Sequence, residues 1–286
     1  GMEIAGSHGV TVRANRSYMN GDHGFDNVYA RSTRFIGNLA YRNHTDGISV
    51  EDSSSGVSIH NCVMVDNGQA TNNEDPELEA RGNARWGFTA DNNLYYRPAR
   101  TGPDANDLVL VDFEGGNQDT NAFCADTMLC FKTRAQLRLH FPQFEEHGKE
   151  ADPKFVDGPG YDYRLKTDSP AVDAADTTAL GWAPTDAVGF TRYYDCRLVS
   201  NTGTPSGSVG DIGPLEHDDG APTIEAVVDY NTAEVTWTAR GATGDAAPAP
   251  VRHEVYVNDV KKNVNTAPSP GTTFRPPPGC RSSTSR

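Results

Sequence analysis

The chain has 286 residues, of which 36% are hydrophobic, and it carries a formal net charge of -14. This acidic balance argues against nucleic acid and anionic membrane surfaces as partners, and no run of about 20 apolar residues could span a bilayer. The length suits one sizeable domain and a small one. Because the chain begins inside a repeat and shows no signal peptide, we interpret it as part of a longer protein.

Residues 1–68 contain one pattern written three times. A period in the low twenties, with short apolar alternations and recurring Asn, is too short for a helical-hairpin repeat and indicates one coil of a β-solenoid. Five columns recur at one constant step along the chain: Gly1/Gly24/Gly47, Met2/Phe25/Ile48, Asn15/Asn38/Asn61, Tyr18/Tyr41/Met64 and Asn20/Asn43/Asp66.

The third copy shows how one coil is built. Three short runs around 48–51, 57–60 and 62–65 alternate apolar and polar residues and predict three strands. The corners between them are rich in Gly, Asn, Asp and Ser, which tolerate the backbone angles of a bend.

Successive coils stack about 4.8 Å apart, so residues one period apart lie above one another. Asn15, Asn38 and Asn61 are therefore predicted to form a ladder of side-chain amides, each bond contributing about 1 kcal/mol. The second coil departs from the apolar pattern at Asn27, and a bulge that turns Val28 inward would restore it.

These three coils resemble the right-handed parallel β-helix of the pectin-lyase-like superfamily, with its three sheets and internal Asn ladder. The resemblance implies an all-β fold, with one coil for each copy of the repeat over residues 1–68. The acidic composition, rich in Gly, Asn, Asp, Ser and Thr, suits a bacterial protein that is secreted or held at the cell surface.

The register of the repeat is lost after residue 68. The polar stretch 69–82 predicts a loop leaving the coil. Pattern returns at 86–96, which resembles the last strand of many such β-helices, and 107–113 predicts another strand.

One helix is predicted, over 133–146. Thr133 is its expected N-cap, and Pro142 is expected to shorten or split it. Cys124 and Cys130 lie in the irregular stretch before it and could close a small disulfide.

Residues 69–219 are assigned to the last β-helix strands and a C-terminal cap. Motifs at 151–157, 161–165, 169–174 and 211–216 are similar, in this order, to the closing segment of many bacterial β-helix proteins, which covers the open end. Their Asp residues are interpreted as structural, since Asp and Pro punctuate strand starts and turns.

The composition changes again near residue 220. Alternating strands at 223–228, 233–238 and 253–258 resemble a fibronectin type III domain, a β-sandwich-like module that is incomplete over 220–275. The tail 276–286 has no apolar pattern and is predicted to be disordered.

A packed β-helix has no internal pocket, so a ligand must bind an outer sheet face. In the enzymes that the chain resembles, this is the first sheet and the corner before it, which form a groove for an extended polysaccharide. The outward positions predicted to bind substrate are Glu3, Asp26 and Ser49, with Glu51 beside them.

The corner before the first sheet supplies the predicted proton-transfer residues His23, Arg42 and His44. Stacked carboxylates repel one another unless they share a proton or a cation. Asp26, Asp46 and Glu51 are accordingly predicted to bind Ca²⁺.

The resemblance implies a polysaccharide lyase that acts by β-elimination on an acidic, uronic-acid-containing glycan, with a monomeric chain. No Lys occurs in residues 1–131, so a lysine base would have to come from coils upstream. Glycoside hydrolysis is a weaker alternative, because the paired-Asp motifs of β-helix polygalacturonases are absent. A non-catalytic surface or adhesion rod that binds carbohydrate is the second hypothesis.

Overall fold

The computed structural model describes residues 1–69, 75–98, 110–113, 129–196 and 199–217, together with five strands further along the chain. Two compact units are present. The first comprises Gly1–His217 with Arg281–Arg286, and the second comprises Asp218–Cys280.

The first unit is built on a stack of coils, each made of three short strands. Coil 1 contains β1 (Met2–Ala5), β2 (Thr11–Arg13) and β3 (Arg16–Tyr18); coil 2 contains β4 (Phe25–Val28), β5 (Arg34–Ile36) and β6 (Leu39–Tyr41); coil 3 contains β7 (Ile48–Glu51), β8 (Ser58–His60) and β9 (Val63–Val65); coil 4 contains β10 (Leu78–Ala80), β11 (Thr89–Asp91) and β12 (Leu94–Tyr96).

Equivalent strands of successive coils pair in parallel and build three sheets. The first sheet orders β1, β4, β7 and β10, the second β2, β5, β8 and β11, and the third β3, β6, β9 and β12. Apolar side chains on the inner faces, such as Phe25, Ile48 and Leu78, are almost completely buried. The predicted parallel β-helix with three sheets is confirmed.

The glycine column leaves no room for a Cβ between one coil and the next. A Cβ added at Gly47 would lie 2.5 Å from the carbonyl oxygen of Glu77 and 2.8 Å from Nδ2 of Asn67. Neither neighbour can move freely, because one is backbone and the other a buried amide. The recurrence of Gly at this position is therefore steric.

Gly47→Ala is expected to lower the free energy of unfolding by about 1–3 kcal/mol, the usual cost of overpacking. Chemical denaturation of the two proteins measures the difference. Gly21→Ala is the matched control, because nothing lies within 4 Å of a Cβ at that position. Equal loss in both variants would contradict the steric explanation.

In the first sheet, paired residues of β1, β4 and β7 are separated by the period of the repeat. In the other two sheets, paired residues of coils 2 and 3 are separated by one residue more. Phe25 pairs with Ile48, as the repeat predicts, whereas Arg34 pairs with Ser58 and not with Val57. The extra residue lies in the first corner of coil 3, which spans six residues, 52–57, instead of the five of 29–33. Each later column of coil 3 is displaced by one residue.

This displacement corrects the predicted Asn ladder. Asn15 donates from its backbone N to Oδ1 of Asn38 (2.9 Å), as predicted, but the next rung is Cys62, not Asn61. The ladder continues because the backbone N of Cys62 donates to Oδ1 of Asn93 (2.8 Å). It ends at the buried carboxylate of Glu145, 3.2 Å from the backbone N of Asn93.

Asn61 instead occupies the bend one residue before the rung. Its φ of 56° is left-handed, like that of Ala14 (55°) and Gly37 (61°) in the preceding coils. Its side chain points away from the core and donates to the carbonyl of Asp176 (2.8 Å). Asn tolerates this conformation better than other non-glycine residues, so its residue type suits the bend equally well.

A second ladder stands at the corner between the third sheet and the next coil. Asn20 donates to Asn43 (2.8 Å between Nδ2 and Oδ1), Asn43 donates to Asn67 (2.8 Å), and Asn67 donates to the buried carboxylate of Glu77. The predicted column contained Asp66, which is again the left-handed residue before the rung, with φ of 52°.

Two further predictions are wrong, one about a column of the repeat and one about a bulge in the first strand of coil 2. Tyr41 pairs with Val65, not Met64. Asn27 stays in register between Ile4 and Val50 without a bulge.

The polar side chain of Asn27 is accommodated by the enlarged corner of coil 3. Asn27 is fully buried, and its Nδ2 donates to Oγ of Ser54 at 3.1 Å. Ser54 belongs to the corner that holds the extra residue, and its hydroxyl also donates to the Asn27 carbonyl (3.0 Å). The insertion thus supplies a partner for the Nδ2 group and for the backbone carbonyl of the buried Asn27.

The stretch 69–82 is not only a loop. Residues 78–80 form β10, which pairs with β7 through Ile48 and Leu78, a longer step than that of the repeat. A fourth coil therefore follows after a longer interval of sequence, and 86–96 supplies the second and third strands of that coil. The part of the predicted loop at 70–74 lies outside the described residues.

An antiparallel strand and a short helix follow the fourth coil. β13 (Val111–Asp112) extends the first sheet, and β14 (Cys130–Phe131) pairs with it in the antiparallel sense. Helix α1 (Arg134–His140) follows, and the predicted Thr133 is its N-cap, in a capping box with Gln136. The helix is short, as expected from Pro142. Cys130 is disulfide-bonded, and its predicted partner Cys124 lies outside the described residues.

The chain then returns along the side of the stack. β15 (Lys149–Glu150) completes the third sheet, and β16 (Phe155–Asp157) with β17 (Asp162–Leu165) forms a hairpin on its outer face. The ring of Tyr163 lies 5.2 Å from that of Tyr41 and 5.5 Å from that of Tyr18.

The last two closing motifs contact each other and a corner of the stack. The backbone N of Asp173 donates to Oδ1 of Asp211 (2.8 Å), and the backbone N of Gly213 donates to the Asn61 carbonyl (2.8 Å). These motifs therefore pack against the corner between the second and third sheets, a lateral position that differs from the predicted cover of the open end. Strand β18 (Tyr194–Cys196) lies between them in sequence.

Two antiparallel strand pairs lie among the described residues of the second unit. β19 (Thr223–Asp229) pairs with β20 (Glu234–Arg240), and β21 (Val255–Val257) pairs with β22 (Val260–Lys262). The fibronectin-like arrangement stays a prediction. Of the tail 276–286, Cys280–Ser282 lies among the described residues and forms β23.

Candidate functional site

The outer face of the first sheet carries a column of acidic and hydroxyl side chains. Glu3 pairs with Asp26, Asp26 with Ser49, and Ser49 with Glu79 in the parallel register. The predicted stacking of Glu3, Asp26 and Ser49 is therefore present. Glu79 continues the column onto coil 4 and was missed, because the sequence pattern is interrupted between coils 3 and 4.

His23 and Asp46 enter this face from the corner before each strand. Nδ1 of His23 lies 2.9 Å from Oδ2 of Asp46, and Nε2 lies 3.5 Å from Oε1 of Glu51 and 3.5 Å from Oδ1 of Asp22. The hydroxyl of Thr45 is also 2.9 Å from Nδ1. The fold thus brings three predicted site residues, His23, Asp46 and Glu51, around one point.

Arg81 joins the cluster from the end of β10. Its Nε lies 2.6 Å from Oε1 of Glu79, and its NH1 group lies 3.7 Å from Oε2 of Glu51. The hydroxyl of Ser49 lies between the two glutamates, 2.7 Å from Glu51 Oε1 and 3.2 Å from Glu79 Oε2. No sequence signal linked Arg81 to this face, because the constant step of the repeat is lost before β10.

The cluster contains more carboxylates than cationic groups, and the carboxylates of Asp46 and Glu79 are buried. Burial raises the pKa of Asp46 well above its usual value, and the nearby charge of Asp75 adds to the effect. Burial likewise raises the pKa of Glu79, with a further rise from Asp46. Two buried carboxylates this close share a proton or a cation between them.

Asp26 lies at the more open side of the cluster. Burial raises its pKa to about 6, the charge of His23 opposes that rise, and the charge of Glu51 adds to it. The carboxyl therefore titrates closer to neutral pH than an exposed Asp does. Glu3, at the edge of the first coil, is exposed.

Arg42 and His44 are not part of this cluster. They line a neighbouring groove of about 340 Å³ together with Met19, Asn20 and Gln69. Nε of Arg42 pairs with Oδ2 of Asp66 at 3.3 Å. The predicted proton-transfer residues are thus divided between two adjacent places.

The groove and the cluster lie along the same two chain segments. Residues 20–23 and 42–46 run side by side, with the backbone N of His44 donating to the Asn20 carbonyl (2.9 Å). Further along, Thr45 Oγ1 donates to Asp22 Oδ1 (3.2 Å). One ligand could therefore contact the groove at one end of these segments and the cluster at the other.

Comparison with known proteins identifies the repeat and leaves the chemistry open. No curated protein and no solved structure matches the chain. Among the described residues, no helix is long and apolar enough to cross a bilayer. Residues 1–84 match the family described as "Right handed beta helix region". With its three stacked parallel sheets, the stack of coils in the first unit is a right-handed parallel β-helix.

Proposed function

We propose that this β-helix binds an acidic polysaccharide across the outer face of its first sheet and cleaves it by β-elimination at a uronic acid. The observation that carries the proposal is convergence: His23 and Arg81 both approach Glu51, at 3.5 and 3.7 Å, beside the buried Asp46. A face that served only as a stiff carbohydrate-binding rod would need no such gathering of buried charge.

Elimination requires a base and a group that stabilises the uronate. The base removes the proton from C5, the electrons form the C4–C5 double bond, and the bond from C4 to the glycosidic oxygen breaks as that oxygen takes up a proton. His44 is the proposed proton acceptor, since it is exposed in the groove beside Arg42. Arg42 is the cationic partner in the same groove.

The cluster on the sheet is proposed to hold the uronate carboxylate. Its excess of negative charge would repel that carboxylate, so a bound divalent cation is part of the proposal. When bound, such a cation neutralises the carboxylate and acidifies C5–H. His23, Asp46 and Glu51 would hold it, while Ser49 and Arg81 keep Glu51 and Glu79 in place.

The proposal is tested by incubating the protein with alginate, pectate and glycosaminoglycans and following the ultraviolet absorbance of unsaturated products. One of these substrates is expected to yield product, and a chelator is expected to stop the reaction. His44→Ala should lower the rate at least about a hundredfold. His8→Ala, an exposed histidine in another corner, is the matched control.

Two results would contradict the proposal. Binding to a polysaccharide without any unsaturated product would favour the non-catalytic rod. A rise in reducing ends without ultraviolet absorbance would favour hydrolysis, in which Asp and Glu carboxyls do the proton transfer.

A further inference from the structure

The cluster on the first sheet contains a nitrogen donor, which affects the choice of metal. One ligand atom from each of His23, Asp46 and Glu51 can be chosen so that all lie within 4.8 Å of one another. Two donors bound to one ion at about 2.1 Å in a tetrahedral arrangement stand about 3.4 Å apart. The distance of 3.5 Å between His23 Nε2 and Glu51 Oε1 is close to that spacing, whereas Asp46 Oδ2 contacts the other ring nitrogen, Nδ1, at 2.9 Å.

Asp46 supplies an independent indication of a cation site. Its side chain is 1% exposed, and among the described residues neither of its oxygens accepts a hydrogen bond of regular geometry. The close approach to His23 is an ion-pair contact without hydrogen-bond geometry. A buried carboxylate without donors is costly unless it is protonated or bound to a cation.

Glu79 relieves Asp46 only while its own carboxyl keeps a proton to share. The two carboxyls contact each other, and the pairing of Glu79 with Arg81 at 2.6 Å favours the ionised carboxylate, which has no proton to donate. The histidine on the other side of Asp46 faces Glu51 and Asp22 as well. Near His23 and Asp46 the negative charge therefore exceeds the positive charge.

We infer that His23, Asp46 and Glu51 form a site for a first-row divalent ion of the Zn²⁺ type and not for Ca²⁺. Ca²⁺ takes six to eight oxygen ligands, whereas this set offers three side chains, one of them an imidazole. Zn²⁺ binds His nitrogen and carboxylate oxygen with three protein ligands and keeps a fourth position open. The calcium set expected from sequence, with Asp26 in place of His23, gives way to this one.

The inference deepens the proposed function and rests on it only for the idea that the open position meets a substrate carboxylate. Metal binding itself can be measured without any polysaccharide. Its failure and the failure of the lyase assay are therefore separate results.

The test is calorimetric titration of the chelator-treated, desalted full chain with Zn²⁺, Mn²⁺ and Ca²⁺, with bound metal counted by elemental analysis after dialysis. About one equivalent of Zn²⁺ is expected, bound at least about tenfold more tightly than Ca²⁺. His23→Gln and Asp46→Asn should each weaken Zn²⁺ binding at least about tenfold. Circular dichroism confirms that each variant is folded.

The matched control is His8→Gln, which removes an exposed histidine outside the cluster and should leave Zn²⁺ binding unchanged. The inference is overturned if Ca²⁺ binds as tightly as Zn²⁺, or if folded His23→Gln and Asp46→Asn bind Zn²⁺ like the parent. Zn²⁺ binding without polysaccharide cleavage would support the metal site and overturn the lyase. Ca²⁺-dependent cleavage without Zn²⁺ binding would do the reverse.

Discussion

Asn43→Ala is expected to lower the free energy of unfolding by about 3–5 kcal/mol, because this side chain is the middle rung of a buried ladder. Its Nδ2 donates to Asn67 Oδ1 (2.8 Å) and to the Ser17 carbonyl (3.2 Å). Its Oδ1 accepts from Asn20, at 2.8 Å from Nδ2 and 3.2 Å from the backbone N. Alanine removes these bonds and leaves buried polar groups without partners, at a cost of about 1–3 kcal/mol each.

Urea denaturation followed by circular dichroism measures this loss. Asn20→Ala is the comparison within the same ladder, since Asn20 is the terminal rung and is only partly buried. Water can reach the groups left by that substitution, so its effect should be smaller than that of Asn43→Ala. Equal losses for the two variants would show that the ladder contributes no more inside the stack than at its end.

The stability of the parent is expected to fall as pH rises from about 4.5 to about 7, and Glu145→Gln should remove part of that fall. Burial raises the pKa of Glu145 to about 7 from an ordinary 4.5, and hydrogen bonds from Asn93 and Tyr95 oppose the rise. The folded state therefore holds the proton more tightly than the unfolded chain does. The contribution of this proton is complete below pH 4.5 and is lost as pH rises through about 7.

The size of this effect is about 3 kcal/mol, from the shift between the two pKa values. The measurement is the difference in unfolding free energy between parent and Glu145→Gln at several pH values from 4 to 8. Gln keeps an oxygen that accepts from Asn93 Nδ2 (2.6 Å) and Tyr95 Oη (2.7 Å) in the parent, and it does not titrate in this range. Glu146→Gln, at an exposed neighbouring carboxyl, serves as the control.

A constant difference between parent and Glu145→Gln across this range would mean that the hydrogen bonds hold Glu145 ionised. The Glu145 carboxyl, which ends the first ladder, would then be ionised throughout this pH range.

Local patterns predicted the architecture well. Short alternating runs, corner residues and the column of Gly1, Gly24 and Gly47 depend on neighbouring residues and on the close stacking of coils. The helix at Arg134–His140 was likewise predictable, because its cap and the following Pro142 act within a few residues.

Register in the third coil was not predictable by counting. One extra residue in the corner 52–57 moves each later column by one, and Asn61 and Asp66 then occupy bends instead of rungs. Asn and Asp suit both places, a left-handed bend and a ladder, so residue type could not distinguish them.

The sequence predicted only some of the residues of the candidate site. His23, Asp46 and Glu51 lie within the repeat, where a constant step between the first three strands of the first sheet stacks them on one face. Glu79 and Arg81 lie on the same face, but they follow an interruption of the repeat pattern, so the sequence did not link them to it. Glu145, which ends the first ladder, comes from the segment after α1.

The residue pattern alone predicts short strands that stack in coils and a carboxylate-rich column along the first sheet. Coordinates were needed to show which residue of each corner faces inward and which distant carboxylates and cations complete the clusters. A strand or bend depends on its neighbours along the chain, whereas a column depends on the residues above and below it. A corner can absorb an extra residue without any change in the local pattern.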